Sequence, residues 1–167
     1  FADMVDPAIS SLQRNEHGVA GFIAETFPSV GGQIIPPKGY LTAVYAKIRA
    51  AGGVCIADEV QTGLGRLGDH YFGFEHQNVL PDIVVLGKPI GNGHPLGVLV
   101  TTKEIANSFD NGIEFFSTFG GSTLSCRIGK EVLDIVDDEG LQDNARVIGA
   151  QLMDGLKALG DKHACIG

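Results

Sequence analysis

The sequence predicts an α/β fold in which a mostly parallel sheet forms the middle layer of a three-layer α/β/α arrangement. Two short apolar runs, VCIA at 54–57 and IVVL at 83–86, are rich in β-branched residues and lie next to glycine or proline. Runs of this kind are typical of buried parallel strands. A stretch with apolar residues at helical spacing precedes the first run, as in strand–helix–strand units. A chain of 167 residues can bury one sizeable core, so we expect a single domain over residues 1–167.

Net charge and composition exclude two classes of function. The formal charge is −8, from 12 basic and 20 acidic residues, which argues against nucleic acid binding because that needs clustered cations. No apolar run approaches the roughly 20 residues of a membrane helix. The first residues, FADMVDPAIS, lack the basic region of a signal peptide. The chain does not begin with methionine, and we expect it to be a piece of a longer protein.

Cysteine and histidine residues show no pattern of a metal site or a disulfide framework. The three cysteines are odd in number and far apart: Cys55, Cys126 and Cys165. Four of the histidines show no ligand spacing: His17, His70, His76 and His163. We therefore expect no metal and a reducing, cytoplasmic location.

The first half of the chain predicts a helix, a strand, a second helix and a second strand. Residues 1–17 are mixed and polar, which favours a helix that ends in a turn. The run 19–24 predicts a buried strand that ends at Glu25, and a glycine- and proline-rich loop follows it. Residues 40–51 predict a helix, because Leu41, Val44, Tyr45 and Ile48 share one face and two glycines follow. The strand at 54–57 comes next, and we expect a right-handed crossover.

The second half predicts an antiparallel strand and three helices. Residues 63–80 are expected to form a loop with a short helix before the strand at 83–86. The apolar residues 97–100 follow that strand too closely for a helical crossover, so we expect an antiparallel neighbour. Three helices complete the chain, the first capped by Thr102 and the other two amphipathic: 103–109, 123–138 and 141–159.

Three predicted strands end next to a chemically reactive side chain: Glu25, Asp58 and Lys88. Open α/β sheets bind ligands outside the carboxyl ends of their strands. A lysine amine there can form a Schiff base with an aldehyde cofactor such as pyridoxal phosphate (PLP), and an acid can keep the pyridine nitrogen protonated. Pro89 predicts an extended backbone at the lysine. Glu59 is expected to face solvent, because neighbouring side chains at a strand end point opposite ways.

Two blocks around these residues resemble the signature blocks of the class III, fold-type I PLP-dependent aminotransferases. They are ADEVQTGLGR at 57–66 and GKPIGNGHPLG at 87–97. The resemblance implies that Lys88 is the catalytic Schiff-base lysine and that Asp58 binds the pyridine nitrogen. It further implies that Gln61 binds the phenolic oxygen of the cofactor and that Val60 packs on its ring.

Two further residues acquire roles from this resemblance. Thr118, in STFGGS, resembles the family's loop that offers a hydroxyl to the cofactor phosphate of the other subunit, which implies a homodimer. The family usually continues with Asn-Pro where this chain has Ser122 and Thr123. Glu25 matches a glutamate near the substrate side of the cofactor. Val30 replaces a second glutamate found in some members, so an arginine–glutamate switch is not expected there.

The likeness runs over residues 18–167 and is strongest to the branch of alanine–glyoxylate aminotransferase-like proteins and ethanolamine-phosphate phospho-lyases. It implies transfer of an amino group from an amino donor to a keto acid or an aldehyde. The alternative is phosphate elimination from a phosphorylated amino alcohol. Both reactions begin with loss of an α-proton, which Lys88 would move, and the motifs do not decide between them.

The resemblance also implies that the chain is part of the large domain. The small C-terminal domain and the N-terminal segment are expected to lie outside it. The isolated chain is therefore expected to be inactive, or nearly so, and to bind PLP weakly.

Two other classes of function stay open at this point. GLGRLG at 63–68 is a literal GxGxxG after a strand, which would suit an NAD-binding oxidoreductase, although no clean amphipathic helix follows it. A non-catalytic interaction domain derived from an enzyme would keep Lys88 without binding the cofactor. His94, in the turn after Lys88, is expected to be structural.

Overall fold

A four-stranded mixed sheet organises the chain, in a computed structural model that describes residues 1–14 and 17–166. Its strands lie in the order β1-β2-β3-β4: β1 Gly21–Glu25, β2 Val54–Asp58, β3 Ile83–Leu86 and β4 Val98–Thr101. β2 pairs in parallel with β1 and β3, and β4 pairs antiparallel with β3. The predicted α/β class and mostly parallel sheet are confirmed. Asn15, Glu16 and Gly167 lie outside the described residues, and with them the ends of the predicted first helix and of the predicted domain.

The helices follow the predicted periodicity closely, but the first α-helix begins five residues later than predicted, after a short 3₁₀ turn, and the last ends three residues later than predicted. The α-helices are α1 Asp6–Arg14, α2 Tyr40–Ala50, α3 Lys103–Phe109, α4 Thr123–Asp138 and α5 Leu141–Lys162. The described part of the chain also contains three short 3₁₀ segments, at Ala2–Val5, Gly73–Gln77 and Lys88–Gly91. The hydroxyl of Thr102 accepts a hydrogen bond from the amide of Ile105 and caps α3 as expected.

The hydrophobic core lies between α2 and the first two strands. Its buried members are Val19, Leu41, Val44, Tyr45, Ile48 and Cys55. The four α2 residues among them recur at helical spacing, so one face of the helix packs on the sheet. Gly53 is needed where β2 begins, because a Cβ there would lie 2.9 Å from Cγ1 of Val19 and 3.1 Å from Cγ2 of Ile48 in α2. The close approach of α2 to the sheet therefore depends on a residue without a side chain.

Burial differs between the central and the outer strands. Cys55 and Ala57 in β2 are fully buried, as predicted. Ile23 in β1 is 63% exposed and Leu99 in β4 is 62% exposed, and no residue of β1 is buried, so the prediction of a buried strand is wrong for β1. β1 and β4 are the outer strands of this sheet and have a neighbour on one side only, which leaves their outer side chains uncovered.

A carboxylate fastens α2 to the amino ends of β2 and β3. Asp82, directly before β3, accepts hydrogen bonds from Nε and a terminal nitrogen of Arg49, at 3.2 and 3.0 Å, and from the amide of Cys55 at 2.7 Å. The Arg49 guanidinium also lies 5.5 Å from the ring centre of Tyr45. Partial burial would raise the pKa of Asp82, but the hydrogen bonds from Arg49 and Cys55 outweigh it and lower the pKa.

Replacement of Asp82 by alanine is expected to lower the free energy of unfolding by about 2 to 3 kcal/mol, because a charged group and a buried amide lose their acceptor. The matched control is Asp134→Ala, which removes an exposed ion pair with Lys130 and should cost about 0.5 kcal/mol or less. Urea denaturation of the complete protein measures both. Since the folded-state pKa of Asp82 is lowered, its contribution is present above the ordinary carboxyl pKa and is lost as the pH falls through the folded-state value. An equal effect of the two substitutions at pH 7 would contradict the assignment.

Cys55 is expected to resist alkylation in the folded protein. Burial raises the pKa of its thiol from 9.0 to about 11, so the reactive thiolate is about a hundredfold scarcer at pH 8. Mass spectrometry of iodoacetamide-treated protein should show Cys55 labelled only after unfolding in urea. Rapid labelling of Cys55 in the folded protein would show that the core around α2 is open.

Candidate active site

Strand register brings the predicted reactive residues to one edge of the sheet. Glu25 and Asp58 are paired in register at the ends of β1 and β2. Asp58 is also paired with Val85 of β3, and Lys88 follows three residues later. The carboxyl ends of three parallel strands therefore present two carboxylates and an amine along the same rim.

The Lys88 amine contacts the turn that follows β2. Its Nζ donates a hydrogen bond to Oε1 of Gln61 at 2.8 Å, across 27 residues of sequence. The two sequence blocks that carry the family resemblance thus meet through Gln61 of the first and Lys88 of the second. An amide oxygen held against the amine fixes the direction in which the lysine points.

The backbone of Lys88 is left-handed, so the extended geometry predicted from Pro89 is wrong. Its φ is +41°, and the residue opens the 3₁₀ segment Lys88–Gly91. The turn is closed by a hydrogen bond from the amide of Ile90 to the carbonyl of Gly87 at 3.2 Å, and the Ile90 side chain is buried. A proline disfavours the right-handed helical region in the residue before it, and the closed turn selects the left-handed region instead of the extended one. Such backbone strain is found at functional sites.

Asp58 and Val60 form a short turn beside the lysine. The amide of Val60 donates to Oδ1 of Asp58 at 3.0 Å, which orients the carboxylate. Within residues 1–14 and 17–166 this is the one hydrogen bond that the Asp58 side chain receives, so Oδ2 can accept another. Gly87 lies against Val60, and a Cβ at that glycine would come within 3.2 Å of Cγ1 of the valine.

Glu59 is buried, which corrects the expectation that it faces solvent. Only 1% of the residue is exposed, and its carboxylate accepts hydrogen bonds from two hydroxyls and two backbone amides. The alternation argument assigned the solvent side to Glu59, and the burial of that residue contradicts it. Thr62, three residues on, was the available sequence signal, because a threonine at that spacing can donate to the carboxylate.

Glu25 keeps its negative charge on the same rim. Its carboxylate accepts hydrogen bonds from the amide and the hydroxyl of Ser29, at 3.1 and 2.9 Å. The amide of Ser29, then its hydroxyl and, more weakly, the charge of Lys88 hold the pKa of Glu25 below its ordinary value. Ser29 is a partner that the sequence analysis missed.

A cavity of about 430 Å³ opens beside Gln61. Its lining includes Phe27, Ile34 and Ile35 from the loop after β1, and Arg66 and Leu67 from the loop after β2. The lining therefore combines apolar side chains with a basic residue. The cavity shares Gln61 with the hydrogen bond of Lys88.

Thr118 is not brought to the lysine. It lies in the exposed loop between α3 and α4. In that loop the amide of Gly120 donates to the hydroxyl of Ser117 at 2.9 Å, and the hydroxyl of Ser122 accepts from the amide of Ser125 at the start of α4. The loop forms the helix-capping turn that its serines favour, and the role of Thr118 stays a prediction.

The GLGRLG stretch forms turns and does not open a helix. Gly65 and Gly68 have positive φ angles of 75° and 77°. A Cβ at Gly68 would lie 2.6 Å from Cα of Arg146, and one at Gly65 would lie 2.8 Å from Cβ of Gln142. The glycines let this loop approach α5, so the structural context of a dinucleotide fingerprint is missing.

His94 joins the turn after Lys88 to α4. Its Nε2 lies 2.8 Å from the hydroxyl oxygen of Ser125, a contact that fits the expected structural role.

Among the described residues, no group of three or more His, Cys, Asp or Glu side chains could hold a metal ion. In the same part of the chain, no helix is both long and apolar enough to cross a membrane.

The chain matches the family model described as aminotransferase class-III over residues 3–167. It is 54% identical over 168 residues to a protein of Drosophila melanogaster named alanine–glyoxylate aminotransferase 2-like, covering 100% of this chain and 34% of that protein. It is 46% identical over 149 residues to the human mitochondrial alanine–glyoxylate aminotransferase 2, covering 89% and 29%. A solved phospholyase from Arthrobacter, in complex with phosphoethanolamine, matches with a TM-score of 0.90 and 41% identity, covering 95% of this chain and 37% of that one. The chain thus spans about a third of the length of these proteins.

Proposed function

The chain belongs to the class-III aminotransferases, and we therefore propose that the complete protein transfers an amino group from an amino donor to a keto acid or an aldehyde. The contact that carries this proposal is the 2.8 Å hydrogen bond from Lys88 Nζ to Gln61. It supports the proposal because Lys88, Gln61, Asp58 and Glu25 all follow or end strands at the carboxyl edge of the sheet. That is the set of groups that pyridoxal phosphate chemistry uses.

The side chains present fit pyridoxal phosphate. When bound, this cofactor supplies a carbonyl carbon that combines with amines and a ring that withdraws electrons from the adjoining atoms. Lys88 is proposed to hold the cofactor and, once its amine is free, to move the proton at the α-carbon of the substrate. Asp58 has a free acceptor oxygen for the protonated pyridine nitrogen, and Gln61 has an amide for the phenolic oxygen. Val60 is proposed to pack on the ring.

The remaining residues of the proposed site serve the substrate and the phosphate. Glu25, held anionic by Ser29, is proposed to lie on the substrate side. Thr118 is proposed to offer its hydroxyl to the cofactor phosphate bound by a second copy, which would make a homodimer the active form. The exposure of the loop that carries Thr118 supports this proposal.

The extent of the domain and the compartment are also proposals. We infer that residues 1–167 are one part of the PLP-binding large domain and that this part alone is inactive. The share of the relatives that it spans, about a third, supports this inference. The free cysteines support a reducing compartment such as the cytoplasm, whereas the human relative is named mitochondrial.

The second candidate function is phosphate elimination from a phosphorylated amino alcohol. The similarity to a phospholyase in complex with phosphoethanolamine favours it. Arg66 in the cavity beside Gln61 would attract a phosphate group. The two reactions differ in product, since one yields a keto acid or aldehyde by amino transfer and the other releases phosphate. A donor screen of the complete protein that measures both products with phosphoethanolamine and with alanine separates them.

We expect the complete protein to carry a borohydride-stable label on Lys88 after incubation with PLP, because this amine faces the proposed cofactor site. The measurement is a visible absorbance titration with PLP, followed by borohydride reduction and peptide mapping. Lys88→Arg, which keeps the charge, should lose both the absorbance band and the label. Equal labelling of Lys47 and Lys157, or a band that persists in Lys88→Arg, would contradict the proposed site.

Replacement of Asp58 by asparagine should lower the turnover number by about a hundredfold or more, because a fixed negative charge next to the ring is lost. The asparagine oxygen can still accept the hydrogen bond from the Val60 amide, so the turn should persist and PLP should still bind. The matched control is Asp138→Asn, which alters an exposed carboxylate at the end of α4. Stopped-flow measurement of the reaction with the amino donor tests both variants. An Asp58→Asn protein with more than half of the wild-type rate would refute the assigned role.

A further inference from the structure

The Glu59 carboxylate lies at the meeting point of three chain segments beneath the proposed site. Its Oε1 accepts from the hydroxyl of Thr26 at 2.6 Å and from the amide of Phe74 at 2.9 Å. Its Oε2 accepts from the hydroxyl of Thr62 at 2.6 Å and from the amide of Gly73 at 2.8 Å. Each oxygen therefore accepts one hydrogen bond from a hydroxyl and one from a backbone amide. The three segments are the end of β1, the turn after β2 and the start of the 3₁₀ segment Gly73–Gln77.

This carboxylate is buried without a cation beside it. Among the described residues, Glu59 takes part in no ion pair, so the hydrogen bonds alone offset the cost of removing its charge from water. An apolar side chain of similar volume could fill the same space at lower cost in desolvation. The four hydrogen bonds hold the three chain segments together at this carboxylate.

The backbone of Glu59 binds the same turn as its side chain does. Its amide donates to the carbonyl of Val85 in β3 at 2.9 Å, and its carbonyl accepts from the amide of Gly63 at 3.0 Å. The side-chain bond to Thr62 closes the turn a second time. Val60 and Gln61 are the two residues between these attachments; Val60 lies against Gly87, and Gln61 accepts the hydrogen bond from Lys88.

We propose that Glu59 is a positioning residue for the cofactor site, whose carboxylate holds the turn that presents Gln61 to Lys88 and Val60 to Gly87. Through Thr26 it also fixes the end of β1 and hence the neighbouring Glu25. This inference rests on the proposed function, because the turn matters for catalysis only when it contacts pyridoxal phosphate. Glu59 itself contacts neither the cofactor nor the substrate in this arrangement.

Substitution by glutamine tests the proposal sharply, because the amide cannot satisfy all four donors. Either orientation of the amide places its NH₂ group against one hydroxyl and one backbone N–H. The hydroxyl can rotate and accept, but the backbone N–H of Gly73 or Phe74 has no acceptor left. Glu59→Gln therefore loosens the anchor while it keeps the shape of the side chain.

The experiment compares the complete wild-type protein with three variants: Glu59→Gln, Thr62→Val and the control Glu75→Gln. Glu75 lies in the 3₁₀ segment Gly73–Gln77, and its carboxylate accepts hydrogen bonds from the amides of Tyr71 and Phe72. The control therefore makes the same chemical change in the segment whose first amides bind Glu59. Thr62→Val removes the one hydroxyl that ties the turn carrying Gln61. Two quantities are measured: the dissociation constant of PLP, and the pH midpoint of the visible absorbance of the PLP-loaded protein.

We expect Glu59→Gln to weaken PLP binding by about tenfold and Thr62→Val by about threefold, because buried donors lose their acceptor and the contacts of Gln61 and Val60 are loosened. Both should shift the absorbance midpoint by about half a pH unit or more, since Gln61 no longer sits at a fixed distance from the lysine. A purely structural role would lower stability and leave this midpoint in place. Glu75→Gln should change neither quantity by more than about twofold in affinity or about 0.2 in pH.

Each other outcome overturns the proposal. A folded Glu59→Gln protein with wild-type affinity and midpoint would show that the carboxylate does not position the turn. If that variant does not fold, an unchanged midpoint in Thr62→Val overturns it in the same way. An equal effect of Glu75→Gln would reduce the result to a general weakness of the loop. If the wild-type protein itself binds no PLP at Lys88, the proposed function fails together with this inference, whereas a wild-type protein that binds PLP with unaffected variants sinks the inference alone.

Discussion

The register of the three parallel strands is the constraint on which the candidate site depends. Backbone hydrogen bonds pair Glu25 with Asp58 and Asp58 with Val85, so the distances among the reactive side chains follow from the sheet. A shift of one residue in either pairing would turn Asp58 to the opposite face and bring Glu59 to the rim. The apolar contacts of α2 with Val19 and Cys55 prevent such a shift, because they too would be reversed. The packing of α2 on one side of the sheet thus fixes which side chains lie at its carboxyl edge.

Residues whose burial or periodicity is local could be predicted from the sequence. The helices, the strands and the antiparallel direction of β4 follow from spacing and from the length of the connections. The placement of Asp58 and Lys88 at one edge follows from the rule for parallel strands. Their individual roles were inferred from the resemblance of two sequence blocks to a known family. Composition and periodicity could not have supplied those roles.

The features that escaped the sequence analysis depend on contacts between distant segments. The left-handed φ of +41° at Lys88 results from a turn whose closure needs a buried Ile90, and proline statistics alone favour an extended residue. The burial of Glu59 requires Thr26 and the amides of Gly73 and Phe74, which lie up to 33 residues away. A charged pair such as Asp58-Glu59 gives no sign of which member is inside. The complete set of hydrogen-bond donors around the two carboxylates determines which one is buried.

Asp82 accepts hydrogen bonds from Arg49 and from the Cys55 amide at the amino ends of the strands. Lys88, Gln61 and Asp58 lie at the carboxyl ends. The sheet therefore separates the ion pair of Asp82 and Arg49 from the reactive groups by the length of a strand. For protein engineering this separation is useful, since charges around α2 can be redesigned to adjust heat resistance without approaching Lys88, Gln61 and Asp58. Evolution can exploit the same freedom, because members of such a lineage can drift in thermal tolerance at one end while they diversify in chemistry at the other.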